Sequence, residues 1–226
     1  DLTLQGAASS STFLDGGGAG SVVIVDGGEG LTLRDLTVRG GLADNGAGIF
    51  VSASALTLEQ VVVEDNECTS AVCNGTGVYA LNSTLLVSDS EVRDNTQRTT
   101  GTGAGVGIFT QGGSLQLDEV RVRNNTFTGG SSVTGAGLAT SGTVAIFDQV
   151  EISATTIELG VGDNHWVTGG GFIIEPSVVP GAPTYAHANY AGNAKQMKQG
   201  GGGKKLPAKL QAMVDKSQEH VEGIVR

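Results

Sequence analysis

The sequence predicts an all-β protein, a right-handed parallel β-helix (a solenoid) of about six coils over residues 1–175, followed by a linker over 176–203 and a short amphipathic helix over 204–226. Three features carry that expectation. A Gly-x-Gly signature recurs at nearly constant intervals, an apolar run of fixed phase follows each copy, and three of the runs close on a polar turn pair while an earlier one ends on Gly40-Gly41.

The signature appears as Gly46-Ala47-Gly48-Ile49-Phe50, Gly75-Thr76-Gly77-Val78-Tyr79, Gly105-Val106-Gly107-Ile108-Phe109 and Gly135-Ala136-Gly137-Leu138-Ala139. Its second glycine falls at 48, 77, 107 and 137, spacings of 29, 30 and 30. The run after it reads Leu56, Leu58, Val61, Val63, then Leu85, Val87, Ser90, Val92, then Leu115, Leu117, Val120, Val122. An earlier copy is Leu31, Leu33, Leu36, Val38, and a weaker later one is Ala145, Phe147, Val150, Ile152. Steps of two are strand, and the one extra residue between the second and third apolar positions marks a bend between two short strands. Neither a helix nor one straight strand keeps those four side chains together. Coils of about three short strands, each rising about 4.8 Å onto the next, do.

The turn pairs end in Asn66, Asn95 and Asn125, which are expected to stack as a structural ladder that satisfies turn backbone along the axis. The paired glycines, with Gly48, Gly77, Gly107 and Gly137 as second members, are expected to be structural turn glycines at a corner of positive φ. A Gly-x-Gly repeated in every coil is no single nucleotide site, and no Gly-Lys-Ser/Thr follows it. The polar stretches 67–74, 96–104 and 126–134 are expected to project as loops and form the rim of any binding site. Phe50, Tyr79, Phe109 and Phe147 are expected as the bulkier members of an aliphatic core.

Composition narrows the class. Glycine makes up 37 of 226 residues, more than double the ordinary share of about 7%, with only 4 prolines and no Gly-X-Y register, so neither collagen nor generic disorder fits. The longest apolar runs, such as 21–25, fall far short of the roughly 20 residues that span a bilayer. The chain opens on Asp1 within a strand-like run and reads as a mature protein or a fragment missing its upstream end. Residues 1–194 carry 20 acids, 6 arginines and no lysine, a net −14, whereas 195–226 carry 3 acids, 6 lysines and 1 arginine, a net +4. So acidic a body repels phosphate backbones, and nucleic acid is not an expected partner. Cys68 and Cys73, in a small polar loop, are disulfide candidates for an oxidising compartment, with free thiols and a zinc pair as rivals.

Several stretches resemble a known group. Leu4-Gln5-Gly6-Ala7, Phe13-Leu14-Asp15-Gly16-Gly17-Gly18 and the run from Leu31 to Gly41, with the Gly-x-Gly-Ile-Phe and Asp-Asn turns, are similar to bacterial right-handed parallel β-helix repeat proteins of the choice-of-anchor Q and polymorphic outer-membrane-protein type, with a pectin-lyase-like fold. The resemblance covers about residues 1–175 and implies a secreted or cell-surface protein, on the exterior of the bacterial outer membrane, with an adhesive or structural role. Neither a sorting pattern nor an outer-membrane barrel follows the repeats.

The same fold hosts lyases and hydrolases, so chemistry must be sought in side chains. Lyase action on polyuronates needs carboxylates for Ca²⁺ and a base for the α-proton. The best constellation is Arg93, Arg121 and Arg123 with Asp65, Asp94 and Glu64, and the competing reading is a solvated face of cross-coil ion pairs. Hydrolase candidates are His165 and His187. Trp166, read in a polar turn, would be a sugar platform or a plug for the solenoid end. Asp163 with Glu158 is a weak Ca²⁺ pair, and no other cofactor or metal is expected.

Pro176, Pro180 and Pro183 mark the end of the repeats, and Gly200–Gly203 reads as linker. Beyond it Leu206, Leu210, Met213, Val221 and Ile224 keep helical spacing. That helix would cap the solenoid, dock to a partner or neighbouring subunit, or, as third choice, lie on a membrane. The reading is a non-catalytic extracellular module with surface subunits or glycans as partners, and the alternative is a carbohydrate-active β-helix.

Overall fold

The alternating runs become short parallel strands stacked coil upon coil. The computed structural model describes residues 2–130, 132–158 and 166–168. Among these residues the strands form four sheets, and every named strand pairing is parallel. Sheet 1 has nine strands, its main path running from Leu2–Gln5 through Gly30–Arg34, Ala55–Glu59, Val78–Ser88 and Ile108–Asp118. Sheet 2 has six, from Phe13–Asp15 to Glu151–Ser153, and its five ladders correspond to about five turns of solenoid. Sheets 3 and 4 have four strands each, beginning at Glu67–Cys68 and Val72–Asn74. The expected linker over 176–203 and helix over 204–226, with Leu206, Leu210, Met213, Val221 and Ile224, lie outside the described residues, as do Asp163, His165 and His187.

The phase of the apolar run has a direct structural cause. Leu56 and Leu58 point inward from sheet 1, and Val61 and Val63 point inward toward and from sheet 2. The extra residue between them, Gln60, takes a left-handed conformation with φ of 55°, as do Asp35, Asp89, Glu119 and Gln149 at the same corner. A left-handed non-glycine residue costs about 1–2 kcal/mol. Each corner sets the next side chain into the core, where burying an aliphatic group is worth about 1.5–3 kcal/mol. The column Leu33, Leu58, Val87 and Leu117 is at most 2% exposed throughout.

The structure corrects the expected count of three strands per coil. The stretches 67–74, 96–104 and 126–134 are not projecting loops. They fold into sheets 3 and 4, which face each other across a thin side lobe whose inward residues Cys68, Cys73, Phe127 and Val133 are fully buried. Strands of two or three residues are too short to show period-two alternation, and the Thr, Ser and Gly that fill them have the composition of loops. Residues 42–45 run along the first edge of the lobe: Glu67 N–H donates to Gly41 O at 2.9 Å and Asn74 N–H to Asp44 O at 3.0 Å.

Phe147 continues the inward column after Leu117 as expected, but the other three aromatic residues are placed differently. Ile49 and Val51 point inward, so Phe50 points outward, and the same parity turns Tyr79 and Phe109 out. Instead of filling the core they stack along the axis, with centroids 5.7 Å apart for Phe50–Tyr79 and 5.3 Å for Tyr79–Phe109. Trp166 begins the last strand of sheet 4, opposite Ser132, rather than sitting in a turn.

Candidate functional site

Two ladders organise the corners around the candidate residues. Asn66, Asn95 and Asn125 are at most 1% exposed and stack, Asn66 Nδ2 donating to Asn95 Oδ1 and Asn95 Nδ2 to Asn125 Oδ1, each at 3.0 Å. The same oxygens accept the backbone N–H of the preceding asparagine, and the Nδ2 groups also reach carbonyls such as Val63 O at 3.0 Å. The residue before each asparagine makes the turn: Asp65, Asp94 and Asn124 have φ of 52°, 55° and 55°. Short polar side chains are the L-residues that tolerate this region best.

The glycine pairs divide their labour. Positive φ belongs to the first members, Gly46, Gly75, Gly105 and Gly135, at 50° to 58°. Gly48, Gly77, Gly107 and Gly137 are not left-handed, which corrects the expectation for them. They are glycine because the coil is tight: a Cβ on Gly77 would stand 2.5 Å from Gly107 O, 2.9 Å from Val92 Cγ1 and 3.0 Å from Asn95 Nδ2. Cys68 and Cys73 are joined in a disulfide with Cα atoms 6.0 Å apart, which links sheets 3 and 4 within one coil.

The arginines stand on the outer face of sheet 2. Glu64, Arg93 and Arg123 form one column, and Glu91, Arg121 and Glu151 the next. Arg93 is held by three carboxylates: Glu64, Asp94 at 2.7 Å and Glu91 at 3.4 Å. Arg123 pairs with Glu91, and that hydrogen bond pushes its pKa up, away from the neutral form a general base requires. Arg121 lies 3.9 Å from Glu151, both largely exposed. Asp94 thus joins the arginine network, while Asp65 faces a shallow polar depression shared with Asn66, Glu67, Asp94, Thr96 and Arg98. Arg98 is itself 3.2 Å from Glu67. Among the described residues no group of three or more His, Cys, Asp or Glu side chains is arranged to hold a metal ion.

Sequence reasoning missed the acidic corner next to this face. The Glu119 pKa is raised by a shared proton with Asp89 and by the negative charges of Asp89, Asp118 and Asp148 beside it. At the far end of sheet 2, Asp15 is lowered by the Gly17 N–H and by Arg39, which stacks over the Phe13 ring at 4.1 Å. Such corners had no signal in the chain because their residues carry no apolar period and only the coil brings them together.

No curated protein and no solved structure matches the chain. A family model described as the right handed beta helix region matches residues 21–158, more than half of the sequence, and with the stacked parallel coils and their inward aliphatic columns it places the chain in the right-handed β-helix family.

Proposed function

We propose that the chain is a non-catalytic, extracellular or cell-surface β-helix module of a bacterium, structural or adhesive in role, with glycans or other surface subunits as partners. The observation that carries this reading is that Arg93, Arg121 and Arg123, the cations of the candidate constellation, are each engaged by carboxylates. The Cys68–Cys73 disulfide supports export, because such bonds persist in oxidising compartments. The stiffness of stacked coils suits a spacer, and the side lobe is the surface on which adhesion would act. A C-terminal segment docking to a neighbour fits an assembled role.

A carbohydrate-active β-helix, lyase or glycan binder, is the second reading. It draws on the depression that sets Asp65 and Asp94 beside Arg98, with Ca²⁺ as its expected helper. Incubation with neutral and acidic polysaccharides, with and without Ca²⁺, separates the two by product size and retained protein. The module reading expects intact polymer. Fragments that disappear with Arg93→Ala or Arg121→Ala would establish the enzyme instead.

A further inference from the structure

We propose that the outer face of sheet 1 on its last described rungs is a docking surface for the lysine-rich segment 204–226 of a second copy of this chain. The surface is assembled by register. Leu86, Gln116 and Ile146 form one outward column and Thr84, Ser114 and Val144 the next, with Leu86 39%, Val144 48% and Ile146 60% exposed. Along one side of this apolar strip run Asp118 and Asp148 in the adjacent column, then Asp89 and Glu119 at the corner.

Among the described residues no ion pair compensates those four carboxylates. All six arginines of residues 1–194 are spent elsewhere: Arg34 on Glu59, Arg39 on Asp15, Arg93 on Glu64, Arg98 on Glu67, Arg121 on Glu151 and Arg123 on Glu91. That part of the chain has no lysine. Every lysine lies between 195 and 216, and the segment 204–226 combines Lys204, Lys205, Lys209 and Lys216 with Leu206, Leu210, Met213, Val221 and Ile224. Apolar groups beside cations in the segment match apolar groups beside carboxylates on the sheet, and each copy carries one of each. The contact joins two different patches, so it is head-to-tail and continues from copy to copy. It is independent of whether the protein binds glycans.

Sedimentation velocity of the full chain over a range of concentrations tests this. Wild type should self-associate, and raising salt from about 0.1 M to about 1 M, which shortens the screening length from about 10 Å to about 3 Å, should weaken it. Val144→Ser/Ile146→Ser, Asp118→Asn/Asp148→Asn, and separately Lys204→Glu/Lys205→Glu/Lys209→Glu, should each lower the association constant about tenfold or more. The altered sheet residues point outward, so circular dichroism should match wild type. Mixing a sheet variant with the lysine variant should restore dimers but no longer species, since only one productive contact survives. A chain that stays monomeric throughout, including one whose segment folds back on its own body, overturns the proposal. Association indifferent to all three variants does so too.

Discussion

The main core and the side lobe belong to the same coils yet bury their interiors by opposite means. Between sheets 1 and 2 every rung repeats one solution, an aliphatic column stacked in register. Between sheets 3 and 4 each rung differs: Cys68 bonds Cys73, then Gln97 lies over Gly103, then Phe127 packs with Val133. The coil that bypasses the lobe, from Leu33 to Leu58, takes 25 residues, while those that include it take 29 or 30. The lobe is therefore an addition to a core that closes without it, and its filling has been free to vary.

Two buried amides on one rung make the contrast measurable. Asn95 and Gln97 are both 0% exposed and two residues apart, on opposite sides of the boundary between core and lobe. Asn95 meets partners at every polar atom, accepting from Asn66 and donating to Val63 O, Arg93 O and Asn125. Asn95→Leu keeps the volume but strands several of these groups, each costing about 1–3 kcal/mol, so a loss of about 4 kcal/mol is expected from urea unfolding midpoints. A loss below that of an ordinary surface substitution would mean the ladder rearranges and the rungs are held by aliphatic packing alone.

The disulfide should matter less, because it closes only a short loop and staples the lobe rather than the core. Cys68→Ala/Cys73→Ala is expected to cost about 2 kcal/mol by chain-entropy reasoning. The transition should remain single if the lobe unfolds with the core. An early transition seen only in the double variant would show the lobe to be a separate unit.

These two cases also show what the chain's letters disclose. The columns Leu33–Leu58–Val87–Leu117 and Asn66–Asn95–Asn125 were legible because one residue type recurs at one interval, which only stacking explains. The lobe was not, since Cys, Gln and Phe in successive rungs share a place but no chemistry. Outward Phe50, Tyr79 and Phe109 were misplaced for a related reason: hydrophobicity names the core, but parity against Ile49, Val78 and Ile108 decides the side. The ion pairs of Arg93 were expected as one of two readings, and it is the register of Glu64, Glu91 and Asp94 that brings those pairs together.

Gln97 reverses the sign. Its Nε2 donates to Ala104 O at 3.3 Å, while Oε1 is buried without a hydrogen-bond partner next to Gly103, where no Cβ could fit beside it. Gln97→Met keeps the unbranched shape and removes the orphaned oxygen, leaving one carbonyl to relax. Stability should therefore rise by up to about 1 kcal/mol, where the same kind of replacement at Asn95 lowers it. A destabilisation comparable to that of Asn95→Leu would mean the lobe amide is as fully engaged as the ladder amide.

The smallest expected effect lies at the surface corner and separates charge from packing altogether. Glu119 is exposed, and its pKa is raised by the hydrogen bond to Asp89 and by the Asp89, Asp118 and Asp148 charges. A folded-state pKa above the unfolded value means that the folded chain holds the proton longer. The contribution is fully present below the ordinary glutamate range and is lost as pH rises through the folded value. Glu119→Gln keeps a donor toward Asp89 and removes one negative charge, so it should flatten this part of the profile and leave the variant slightly more stable than wild type at neutral pH. Urea midpoints at closely spaced pH values from 4 to 7, at low salt, read the difference. If the variant and wild type fall in parallel across that range, the corner carboxylates are already screened by water, and the core and the lobe alone set the stability of the coil.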